Sequence, residues 1–195
     1  MGKPLALVAL ACTTAGCLWD KKSADRPARL HMGFNTRRVV MEPPKRDYTG
    51  GVLARTTDPG ETETAGEAKT GVTGSAQFTM AYRRGFYMGG EIEAGPLGRS
   101  GSFFGGAYGV AGAETASGRG SLSVELIAGR RWVRYELGAD DVASLALEPR
   151  VRGQLWLGPQ VSFGGVIGAN AVPGEQGWMA GIYLGIYSDD KHGSR

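Results

Sequence analysis

From Gly74 almost to the C-terminus, apolar and polar residues alternate with a period of two. That period marks β-strands with two unlike faces. Ala76, Phe78, Met80 and Tyr82 alternate with Ser75, Gln77, Thr79 and Arg83, and Phe86, Met88, Ile92 and Ala94 with Tyr87, Gly89, Glu91 and Glu93. Phe104, Gly106, Tyr108 and Val110 form the bulky face of a third run whose other face is small. Leu122, Val124, Leu126, Ala128 and Trp132 oppose Ser121, Ser123, Glu125 and Arg131. Leu145, Leu147, Val151, Leu155 and Leu157 oppose Glu148, Arg150, Arg152 and Gln154. Val161, Phe163, Ile167 and Ala169 face away from Gln160, Ser162, Gly164 and Asn170, and a seventh run aligns Trp178, Ala180, Ile182, Leu184 and Ile186.

These runs predict seven strands of roughly 10–14 residues, where soluble strands average about 5–6. About 9–11 residues suffice to cross a bilayer at a tilt near 45°. Single-chain bacterial membrane barrels usually have an even strand count, and the best candidate for an eighth strand is Asp47–Thr56. The expected fold is all-β: a transmembrane, up-and-down antiparallel β-barrel of eight strands.

The connections support this order. Thr57–Thr73, Gly95–Ser102, Tyr135–Val142 and Ala171–Gln176 are mostly long and polar. Arg84-Gly85, Glu114–Arg119 and Gly158-Pro159 alternate with them and are mostly tight. Long external loops and short periplasmic turns are the asymmetry of outer-membrane barrels. Pro149 falls inside a strand, where its missing N–H predicts a local bulge. Trp156 has lumen parity at a strand end, where a twist or bulge would bring it to the interface.

Over Asp47 to Ser188 the pattern resembles the small eight-stranded outer-membrane barrel families. Those families usually end on an aromatic residue that the assembly machinery reads. Gly181, Leu184 and Ile186 resemble the spaced positions of that signal, but a polar tail follows Tyr187.

The N-terminus reads as an address. Lys3 supplies one positive charge, Pro4 to Thr14 is a short apolar stretch, and small residues follow, as in a signal peptide. Thr14-Ala15-Gly16-Cys17 resembles the lipobox of bacterial lipoproteins, with Thr14 where that family usually has Leu. The resemblance implies that Cys17 becomes the acylated first residue. Leu18-Trp19 lacks the Asp of inner-membrane retention, which points to outer-membrane sorting. The expected organisation is a signal peptide over 1–16, a flexible polar tether over 17–46, the barrel over 47–188 and a polar tail over 189–195.

Composition adds three points. Glycine supplies 33 of 195 residues, which suggests a crowded or strongly curved sheet. Cys12 and Cys17 are the only cysteines, so the body of the chain holds no disulfide or cysteine metal site. The net charge of +3 is small and its basic residues form no stripe, so nucleic acid is not an expected partner.

Charge also frames the question of which face is inside. Opposite the aliphatics stand Glu91, Glu93, Glu125 and Glu148 with Arg83, Arg131, Arg150 and Arg152. Such a balanced set suits a narrow lumen filled by ion pairs. On the membrane reading, Tyr82, Phe86 and Tyr187 form an interface belt at one end and Phe104, Trp132 and Trp178 at the other. His31 and His192 lie outside every predicted strand, so no base stands beside a nucleophile and no enzyme is expected. Neither the Glu91 and Glu93 pair nor Asp140-Asp141 is expected to hold a metal, and no cofactor is expected. The expected function is an integral outer-membrane barrel with a structural or surface-interaction role, in contact with outer-membrane lipid and with an envelope or surface protein through its loops. The alternative is a periplasmic lipoprotein whose soluble, lipocalin-like barrel binds an apolar ligand.

Overall fold

The alternating runs become strands because only a sheet places residues i and i+2 on one face. The computed structural model describes residues 28–40, 68–83, 85–98, 102–117, 119–134, 141–172 and 177–188. Eight strands follow in order: β1 Ala28–Val40, β2 Ala68–Arg83, β3 Phe86–Leu97, β4 Ser102–Ser117, β5 Gly120–Arg134, β6 Asp141–Trp156, β7 Val161–Ala169 and β8 Gly177–Tyr187. Each pairs antiparallel with its neighbour, and β1 pairs with β8 to close the barrel.

The first strand differs from expectation. Asp47–Thr56 lies outside the described residues, and the closing strand is Ala28–Val40, inside the segment expected to be a tether. Its alternation is masked because polar Asn35 and Arg37 point inward while Thr36 and Arg38 also stand on the outer face. Val40, Ala68, Leu97, Ser102, Arg134, Asp141, Ala169 and Gly177 end their strands at one end of the barrel, the long-loop end. Ala28, Arg83, Phe86, Ser117, Gly120, Trp156, Val161 and Tyr187 end theirs at the other, the tight-turn end. Gly85, between β2 and β3, has φ 76°, in the left-handed region that glycine enters without a Cβ penalty.

Pro149 causes no register shift in the β5–β6 pairing, where it faces Leu126. The β6–β7 ladder instead stops at Arg150↔Gly168, one residue short of the proline. With no N–H, Pro149 offers no donor to extend that second ladder. Trp156 keeps its lumen parity and packs edge-on against Tyr187, with ring centroids 4.5 Å apart.

The glycines seat aromatic rings. A Cβ at Gly112 would lie 2.5 Å from the Tyr87 ring, and one at Gly164 2.6 Å from the Tyr183 ring. On the outer surface, Gly105 lies under Trp132 in the same way. The crowding expected from composition is therefore aromatic-on-backbone packing. Gly112→Val should displace Tyr87, which donates to Glu125 at 2.7 Å. The expected loss is about 1–3 kcal/mol, the usual cost of overpacking, measured as a lower midpoint of urea unfolding in micelles.

Candidate functional site: the charged lumen

The barrel is built inside out. Phe34, Ile92, Leu145 and Ile182 are all more than half exposed, while the interior is charged. Among the described residues, Arg29, Arg37, Arg131, Arg150 and Arg152 are buried with Glu91, Glu93, Glu114, Glu125 and Glu148. The two sets balance, so the lumen carries no net charge from them. Burying so many ions is tolerable only if each finds a partner of opposite charge.

The lumen is layered from the long-loop end downward. Val39, Leu97, Phe104 and Val133 form an apolar lid, completed by the partly buried Val142. Beneath it, the Arg37 guanidinium stacks 4.8 Å over the Phe104 ring. Arg37 reaches Glu93 at 2.6 Å and Glu148 at 2.9 Å. Asn35 and the Thr73 hydroxyl also donate to Glu93. Glu148 is shared, because Arg150 contacts it at 3.2 Å and contacts Glu91 at 2.7 Å.

The next layer centres on Glu125. It accepts from Arg152 at 3.1 Å, from Tyr87 and from Gln77. Arg152 lies 4.3 Å from the Tyr183 ring centroid. Below it, the His31 ring lies 2.8 Å from both the Gln77 side-chain oxygen and the Tyr187 hydroxyl. Tyr187 donates to Gln154 at 2.5 Å, and Gln154 donates to Glu114 at 2.9 Å. Glu114 pairs with Arg29 at 2.5 Å near the tight-turn end. A continuous polar network thus runs from the lid to the last turn.

Glu91, Glu93, Glu125, Glu148, Arg150 and Arg152 all stand in this network. Arg131 is also buried, donating to Ser144 at 3.0 Å across the β5–β6 pair. Arg83 ends β2, and its side chain lies outside the described ones. Arg29, His31, Asn35 and Arg37 are lumen residues that the sequence pattern hides, because the segment that forms β1 reads as a tether and puts His31 outside the expected strands. Glu114 was missed because it was assigned to a turn, although β4 runs on to Ser117.

Four of the six expected interface aromatics face outward. Tyr82, Phe86 and Trp178 are exposed, and Trp132 is half-buried across Gly105. Phe104 and Tyr187 instead point inward. The outer face of β4 is small, with Gly105, Ala107, Gly109 and Ala111, and Phe103 takes the outward aromatic place. Tyr187 has the parity opposite Ile186, a rule visible in the sequence. Cys17 lies outside the described residues.

Glu148→Ala strips two buried arginines of a shared partner. The expected loss is about 3–5 kcal/mol of unfolding free energy, read by urea unfolding in lipid vesicles. A loss below about 1 kcal/mol would mean that these pairs are solvated like surface ones.

Neither a family model nor a curated protein matches the sequence. Solved structures do match in fold. Ail, the attachment invasion locus protein of Yersinia pestis, aligns with a TM-score of 0.51 at 12% identity, over 84% of this chain and 99% of that one. Neisserial surface protein A aligns with a TM-score of 0.54 at 9% identity, over 83% and 97%. A second Ail structure, solved with the heparin analogue sucrose octasulfate, aligns at a TM-score of 0.50 and 12% identity, over 84% and 99%. The chain therefore has the closed eight-stranded barrel fold of these outer-membrane proteins.

Proposed function

We propose that this protein is an integral outer-membrane barrel with a structural or surface-interaction role and no enzymatic activity. The observation that carries the reading is the inversion of polarity: ten buried charged residues inside, five of each sign, and an apolar wall outside. A lipid-exposed wall needs such a surface, and a closed barrel satisfies every strand edge. A soluble barrel that binds an apolar ligand needs the opposite arrangement. The charged lumen and the apolar outer wall speak against that alternative.

The filled lumen argues against a general pore. That leaves the surface at the long-loop end for partners. There β2, β4, β5 and β6, of 15 or 16 residues each, are longer than the roughly 9–11 that cross a bilayer. Their extra length supports a raised rim that presents the loops to an envelope or surface protein. The fold neighbours include an attachment protein, which agrees with such a role. Export by the N-terminal signal and acylation of Cys17 would add a second anchor to the barrel's own.

Cys17→Ala, exported behind a standard cleavable signal, should stay in the outer-membrane fraction after a carbonate wash. It should also migrate differently on a gel before and after heating. Release into the soluble periplasm would overturn the integral reading and leave Cys17 as the only anchor.

A further inference from the structure

The outer wall is not uniformly filled. Over β2 to β4 it is floored by small residues, among them Gly74, Ala94 and Ala107. Phe34 rises on one side and Trp132 on the other, which leaves an apolar groove of about 690 Å³. The groove runs on past Ala76 and Ala107 into a second hollow beside Phe78. The combined trough follows the wall, as an extended hydrocarbon chain would.

A charge stands at its edge. Arg130 is exposed on the outer face of β5, between Ala128 and Trp132, and pairs across strands with Ala107 and Leu145. No acidic side chain among the described ones faces outward, so the wall itself supplies Arg130 with no counter-charge. Depth places the residue. About ten residues of a tilted strand cross the apolar band. Counted from Gly120, that band ends at Arg130, and on β1 the same count from Ala28 ends at the exposed Arg38. Arg130 therefore sits at the headgroup level of the long-loop end, beside the groove, where a guanidinium can grip a phosphate with two hydrogen bonds.

We propose that the groove holds one acyl chain of an anionic phospholipid of the outer leaflet, with the phosphate on Arg130. The inference rests on the membrane reading above. It makes this stretch of wall a lipid-binding site rather than a generic solvent-facing surface for hydrocarbon.

The test is native mass spectrometry of the full-length barrel in neutral detergent, doped with either phosphatidylglycerol or phosphatidylcholine of identical chains. The wild type should retain one phosphatidylglycerol with about fivefold preference over phosphatidylcholine, the factor expected of one arginine near an anionic headgroup. Arg130→Gln should abolish that preference by lowering phosphatidylglycerol retention more than phosphatidylcholine retention, because both lipids carry the phosphate and only phosphatidylglycerol is a net anion. Ala107→Leu, or Ala94→Leu, should fill the groove and lose both lipids. Ala169→Leu, outward on β7 and away from the groove, should retain lipid as the wild type does. Heat-modifiable migration certifies each barrel. With intact barrels, equal retention of the two lipids by the wild type, or full retention by Ala107→Leu and Ala94→Leu, overturns the site but leaves the membrane reading standing. Carbonate extraction of Cys17→Ala overturns the membrane reading, and this inference with it.

Discussion

The sharing of Glu148 between Arg37 and Arg150 is the contact on which the rest of the lumen depends. Arg37 comes from β1, Glu93 and Glu91 from β3, and Glu148 and Arg150 from β6. The chain of ion pairs through that carboxylate, Glu93–Arg37–Glu148–Arg150–Glu91, therefore ties together three strands that are not neighbours in the sheet. Backbone pairing alone fixes only adjacent strands. The ion pairs fix distances across the barrel and so set its cross-section. The apolar lid strengthens them by keeping water off the upper layer, since Coulomb attraction grows as the local dielectric falls.

The two ends are closed by different means. The long-loop end is sealed by aliphatics and Phe104, whereas the tight-turn end is crossed by Arg29, Glu114, Trp156 and Tyr187. β7 is the shortest strand and gives the lumen no ion; Ser162 is its one buried polar residue. Beside it, Tyr183 and Tyr187 of β8 fill the space with rings seated on Gly164 and Gly185. Where ions are missing, bulk takes their place.

Period-two alternation made β2 to β8 legible, and with them most of the ion network, because a strand that separates lipid from a charged lumen must alternate. It failed at β1, where Thr36 and Arg38 on the outer face blur the contrast with Asn35 and Arg37 inside. It also misled at β4, where bulk was taken as the outward signal. There the outer face is glycine and alanine, and the lumen needs Phe104 and Tyr108 to fill it. Size alone does not report direction. The reliable sign is the carboxylate, since Arg38 and Arg130 stand on the outer face, and β4 carries none until Glu114 at its far end. Cross-strand partners such as Arg37 with Glu148, separated by 111 positions, follow from closure and could not be read from one strand at a time.

A lumen so densely paired constrains what such a barrel does. Moving any one ion strands its partners, at a cost of several kcal/mol, so the interior is a poor place for a site that must change occupancy. The surfaces are free of that constraint. The loops can vary without touching the network, and the outer wall can vary wherever a small residue replaces a large one. Ala107 shows the second freedom: its strand carries Tyr108 into the lumen, while its own outward position opens the groove beside Arg130. The barrel keeps its inner face for stability, and its outer face and rim are where recognition can reside.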